Sequence, residues 1–159
     1  MTAINRNRPS GCLRPPPGPP SASFVRQQRG TVAALACSAA GFALYWYAFF
    51  GGGAVRTSAD AGYLEFERAF PVPDAALAVA ALLAAWSLWR ALPAAVLWML
   101  LSAGGFAFLG LIDVAYHVQH DLYSWVNPAS WLELALNLYC LGFAVWLAVF
   151  AWRHRRRLD

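Results

Sequence analysis

The sequence has no lysine; all twelve of its basic residues are arginine, set against eight acids. Charge is scarce as a whole, at 13% of 159 residues, where a soluble domain carries about 25%. That shortage excludes a solvated, charged surface over most of the chain. Cysteine is scarce too. Cys12, Cys37 and Cys140 stand apart with no C-x-x-C pair, so a dithiol relay lacks its paired thiols. Isolated cysteines in apolar runs pack as small hydrophobes. There is no H-E-x-x-H and no repeated E-x-x-H, which removes the common helix-borne metal motifs. The pI near 9.3 does not come from a basic face either. The arginines gather at the ends, at 6, 8, 14, 26 and 29 and again at 153 and 155–157. Nucleic acid is therefore not an expected partner; basic ends beside apolar runs are typical of membrane proteins.

What the chain has is apolar length: 60% hydrophobic residues and a mean hydropathy of +0.46. The run "TVAALACSAAGFALYWYAFF" is long enough to cross about 30 Å of hydrocarbon. It outlasts a signal-peptide core of about 7–15 residues and ends in belt-like aromatics. The stretch 74–120 is too long for one crossing, and Arg90 and Pro93 divide it into a hairpin. The reading is an all-α bundle of four transmembrane helices, at about 31–50, 74–92, 93–120 and 131–152. "YLEFERAF" before the second span reads as a short interfacial helix or turn. Pro73 and Asp74 suit a helix start, and Ser130 reads as the N-cap of the last helix.

Residues 1–30, with prolines at 15–17, 19 and 20, read as a disordered Pro/Arg-rich cytoplasmic tail. Residues 153–159 read as a basic cytoplasmic tail. The first connection balances Arg56 and Arg68 with Asp60, Glu65 and Glu67, and the third has no arginine. The positive-inside rule then puts both termini and the 90–93 turn in the cytoplasm. Arginine without lysine, with abundant Ala and Leu, suits a GC-rich bacterial genome. The expected location is thus a bacterial cytoplasmic (inner) membrane, with the lipid bilayer as the first partner.

One stretch breaks the apolar pattern. In "GLIDVAYHVQHDLY", Asp113, Tyr116, His117 and His120 recur at i, i+3, i+4 and i+7 and share a helix face. Ser102, Phe106 and Gly110 continue that face inward, with Gly110 admitting a close neighbour. Glu133, Asn137 and Cys140 form a second stripe, while Glu67 and Asp74 flank the start of the second span. In the four-span topology these groups converge toward the outer end, so the candidate pocket is Glu67, Asp74, Asp113, Tyr116, His117, His120, Glu133 and Asn137. Ionisable groups inside spans are costly and point to function by default.

Several uses compete. Asp113 would find a partner in His117 on the next turn or in Asn137 across the bundle, as part of a polar clasp between the third and fourth helices, and Asp74 would merely cap its own. Asp113, His117, His120 and Glu133 offer carboxylate and imidazole ligands to a divalent metal such as Zn, Fe or Mn. The same acids and imidazole would serve proton transfer on a lipid-like substrate, with Trp86, Trp89, Trp98, Trp125 and Trp131 available to stack on a cationic or unsaturated ligand. Binding of a lipophilic small molecule needs no chemistry. Transport would need homo-oligomerisation, because four helices leave little room for a path.

The pieces "FERAFPVPDAALA", "GLIDVAYHVQHDLY" and "ELALNLYCL" resemble a group of uncharacterised bacterial four-helix integral membrane proteins. These carry F-P-x-x-D and G-L-x-D-V-x-Y-x-x-Q-H stretches. The resemblance spans about 63–145, implies the same topology, and singles out Asp74, Asp113, Gln119 and His120 without implying an activity. The architecture is also similar, as a fold analogy alone, to the emopamil-binding-protein superfamily, whose compact helical bundles carry intramembrane acids.

Overall fold

The computed structural model describes residues 21–53 and 55–158. They form five helices: α1 (Ala22–Gly51), α2 (Ala61–Glu67), α3 (Pro71–Trp89), α4 (Ala94–Gln119) and α5 (Pro128–Leu158). Four segments are long and apolar enough to cross a membrane: Ala22–Gly51, Ala61–Trp89 (α2 running into α3), Ala94–Gln119 and Pro128–Arg156. The all-helical, four-spanning bundle expected from the apolar runs is the observed architecture. Of the expected N-terminal tail, residues 1–20 lie outside the described residues.

The helix limits differ from the hydropathy reading wherever polar residues continue a helix. α1 starts at Ala22 because Ser21 caps it, its side chain accepting from the Phe24 amide at 3.3 Å. Residues 22–30 are therefore helix, where the expectation was a tail. α3 starts at Pro71, not at Asp74, and is preceded by Phe70. α5 starts at Pro128, where Asn127 Oδ1 accepts from the Ala129 amide at 3.0 Å. Ser130 is not its cap; its hydroxyl donates to the Leu122 carbonyl. At the other end α5 continues to Leu158, so the basic residues expected as a tail ride on helix.

The helices pack in chain order, α1 on α3, α3 on α4 and α4 on α5. Their contacts use small side chains: Ala81, Ala84, Ala85, Ala95, Ala103, Ala144 and Ala151 are buried, while Leu82, Leu97, Phe108, Leu138 and Val145 face outward. That inversion suits a lipid solvent, where helices associate through close backbone approach rather than by hiding leucine from water. Gly110 is such a point. A Cβ there would come within 2.9 Å of Leu141 and 3.3 Å of the Asn137 carbonyl on α5. At the end holding the α3–α4 turn, Gln28 donates from α1 to the Leu88 carbonyl at 2.7 Å, occupying a free helix-end acceptor.

The opposite end carries the α1–α3 and α4–α5 connections. Arg56 folds back to donate twice to the Phe49 carbonyl, at 2.7 and 3.0 Å. Asn127 ties the two connections by donating to the Thr57 carbonyl. α2 lies across this end, capped by Asp60, which accepts from the Gly62 and Tyr63 amides.

Candidate functional site

Beneath α2, the ends of four long helices enclose a cavity of about 100 Å³. Its wall includes four carboxylates from four different helices: Glu67 of α2, Asp74 of α3, Asp113 of α4 and Glu133 of α5. Among the described residues, no arginine lines it. Glu67, Asp74 and Glu133 are buried, and Asp113 is half-buried. Asn137 and Cys140 continue the α5 wall, and Phe42, Tyr45 and Trp46 supply that of α1.

Each acid has its own geometry. Glu133 Oε1 accepts a 2.6 Å hydrogen bond from the Tyr45 hydroxyl. Asp74 Oδ2 accepts from the Trp46 indole at 2.9 Å, while its Oδ1 is buried with no partner. The helix-capping role considered for Asp74 is thereby replaced by a link between α3 and α1. Asp113 Oδ1 lies 3.3 Å from His117 Nδ1, and that nitrogen also meets the Asp113 carbonyl at 3.0 Å. His117 is fully buried, and its Nε2 has no partner.

Of the two partners expected for Asp113, the structure gives His117 on the next turn and not Asn137 across the bundle. Asn137 instead donates to the Tyr123 hydroxyl at 3.1 Å, and the Tyr123 ring stacks on His117 at 5.1 Å. Tyr123 sits in the α4–α5 loop, and burial pushes its phenol above the ordinary value. It therefore stays neutral and available as a hydrogen-bond partner.

Tyr116 and His120 share the helical face of Asp113 and His117 in sequence, but both lie outside the cavity. Tyr116 stacks on Phe66 of α2 at 3.7 Å and on His120 at 4.1 Å. His120 is exposed, with Nδ1 on the Tyr116 carbonyl. It does not join the cluster of possible metal ligands, which is Asp113, His117 and Glu133. Tyr116 thus anchors α2 over the cavity through Phe66, and His120 stacks on Tyr116. The tryptophans proposed for stacking are placed elsewhere: Trp86, Trp89, Trp125 and Trp131 are exposed, and Trp98 packs against the core.

Tyr45, Trp46 and Tyr63 are the participants that the sequence reading missed. Tyr45 and Trp46 belong to "YWY", taken as a membrane belt. Their signal was the polar tip: a buried phenol or indole requires an acceptor, and the spans offered few acceptors besides the acids. Tyr63 is buried against the His117 ring, edge on at 6.2 Å, and its hydroxyl accepts from the Thr57 amide.

A second, larger space adjoins the first. An apolar groove of about 500 Å³ runs between α1 and α5, floored by Phe106 and edged by Gly41, Leu44, Leu132 and Tyr139. Ser38 and Tyr139 bridge it with a 2.7 Å hydrogen bond. Phe42, Tyr45, Leu136 and Cys140 line both groove and cavity. Comparison with protein-family models, curated proteins and solved structures finds no match, so the functional argument rests on this geometry.

Proposed function

We propose that the chain is a multi-pass protein of the bacterial cytoplasmic membrane, with both termini inside, that binds a lipophilic molecule bearing a cationic head. The observation that carries this reading is that groove and cavity adjoin, with Phe42, Tyr45, Leu136 and Cys140 in the walls of both. An apolar trough between two helices suits an alkyl chain. It adjoins a cavity whose carboxylates have, among the described residues, no arginine with them, and a cationic group there would offset the cost of holding several acids away from water.

The arginine distribution supports the orientation, which turns the cavity toward the outer face. The bundle is a binding protein in this reading, and a pure helix clasp is the competing account. A clasp would account for the Tyr45–Glu133 and Trp46–Asp74 bonds, but it has no use for an open apolar groove beside the acids.

The test is native mass spectrometry of the purified protein with hexadecyltrimethylammonium, and with hexadecyl sulfate as the matched anion. One retained alkylammonium per chain, with no retained sulfate, is expected. Gly41→Trp should abolish retention by filling the groove, since a Cβ at Gly41 meets nothing within 4 Å. Equal retention of cation and anion, or full retention in the Gly41→Trp protein, would refute the reading.

A further inference from the structure

We propose that Asp113, His117 and Glu133 form a binding site for one divalent transition-metal ion. The proposal rests on the cavity reading and divides the cavity's labour: the trio takes the ion, while Glu67 and Asp74 face the cationic head.

One ligand atom from each of the three residues lies within 4.8 Å of the others. Zinc-type ions hold nitrogen and oxygen at about 2.0–2.2 Å, so tetrahedral neighbours stand roughly 3.4 Å apart. Two carboxylates and one imidazole suit Zn, Mn or Fe(II) better than Ca or Mg, which prefer all-oxygen shells. Copper(I) is disfavoured because the trio contains no sulfur.

Burial supplies the independent argument. His117 is 0% exposed and has one ring nitrogen without a partner. Its other nitrogen is on the Asp113 carbonyl, the arrangement that ordinarily orients a metal-bound histidine. The unpartnered Nε2 is the ring nitrogen that remains free to coordinate an ion.

In the ion-pair alternative Asp113 pairs with His117, and Glu133, 3% exposed, is held by the Tyr45 hydroxyl and by a hydrogen bond with the Asp113 side chain, which requires a proton between the two carboxyl groups. Two acids this close either share a proton or, when both are ionised, need more positive charge than one imidazole provides; an ion takes the place of that proton. A 2+ ion balances both carboxylates. The Tyr45 bond then acts from the second layer, holding Glu133 for the ion. The unpartnered Asp74 Oδ1 on the same cavity wall is a ready acceptor for a metal-bound water or for the ligand's head.

The experiment uses the full chain in detergent, stripped with EDTA and dialysed against Zn²⁺ in competition with a chromophoric chelator. Bound metal is counted by elemental mass spectrometry, and Co²⁺ loading is followed by visible absorption. One ion per chain is expected, together with a cobalt spectrum of low-coordinate N/O type. Glu133→Gln and Asp113→Asn keep side-chain shape, and each should weaken binding by at least about 10–100-fold. His120→Ala should bind as wild type.

If His117→Gln fails to fold, the two carboxamide variants carry the test. Absence of stoichiometric metal in the wild type, or wild-type uptake by both carboxamide variants, would overturn the site. Alkylammonium retention measured on EDTA-stripped protein separates the two readings: retention without metal uptake sinks the metal site and spares the binding function.

Discussion

The Tyr45 hydroxyl donates to Glu133 Oε1 at 2.6 Å, joining α1 to α5 across the cavity. The close helix packing runs α1–α3–α4–α5, so this bond joins two helices that otherwise meet through long side chains, as in the Ser38–Tyr139 bond and the Phe24–Phe150 stack. Tyr45→Phe keeps the ring and removes the donor. It should destabilise the protein by about 1–3 kcal/mol, the cost of a buried acceptor losing its partner. Thermal unfolding in detergent would measure the loss. In a double-mutant cycle with Glu133→Gln the effects should be strongly non-additive; simple additivity would mean that the two groups do not interact.

Gly110 provides a packing test on the opposite wall. A methyl group there would approach Leu141 Cγ at 2.9 Å and the Asn137 carbonyl at 3.3 Å. Leu141 has torsional freedom but the carbonyl does not, so α4 and α5 must separate. Gly110→Ala should cost about 1–3 kcal/mol by overpacking and should weaken metal binding, because it shifts Asp113 and Glu133 apart. Gly104→Ala is the control, since its Cβ meets nothing within 4 Å. An equal loss in both variants would point to a general intolerance of the helix rather than to this contact.

The architecture was legible because lipid imposes a length: apolar runs of membrane thickness, divided at Gly51–Gly53 and at Arg90–Pro93, can be read from one dimension. The acids were legible as anomalies within those runs. What the sequence did not show was partner choice. Helical periodicity places Tyr116 and His120 on the face of Asp113 and His117, yet a shared face about 100° wide still divides at its edges. Phe66 of α2 captures Tyr116 and, through it, His120. That contact depends on how α2 folds across the bundle, which no period reveals. Likewise Asn137 pairs with Tyr123, and not with Asp113, because the α4–α5 loop returns over the cavity. Helix ends were misjudged where capping chemistry outweighs hydropathy, as at Ser21 and Asn127.

Ser102 is a buried polar group without an evident use. It is 0% exposed in the middle of α4, and its hydroxyl has no hydrogen-bond partner. Thr31 and Ser38 on α1, by contrast, donate to carbonyls one turn back. An unpaired buried hydroxyl costs about 1–3 kcal/mol, so Ser102→Ala should leave stability unchanged or raise it by up to about 1 kcal/mol. It should not alter alkylammonium or zinc binding, since the residue lies below the cavity. A clear loss of stability would show that the hydroxyl has a partner in the membrane-embedded protein.

Ala91 holds the α3–α4 turn in a left-handed conformation, with φ of +50°. The Leu92 amide reaches the Ser87 carbonyl at 2.8 Å and the Ala91 amide reaches Leu88 at 3.2 Å. The helix therefore closes in the manner that normally employs glycine. A methyl-bearing residue pays roughly 1–2 kcal/mol for that geometry, which glycine avoids while giving up some unfolded-state restriction. Ala91→Gly should therefore raise the unfolding midpoint, with a net gain of about 0.5–1 kcal/mol. Ala91→Val should lower it, because a β-branched side chain tolerates positive φ still less. Both substitutions lie at the end of the bundle opposite the carboxylates, so ligand and metal binding should be unchanged. A fall in stability for Ala91→Gly would mean that the turn adopts a different backbone conformation in the bilayer.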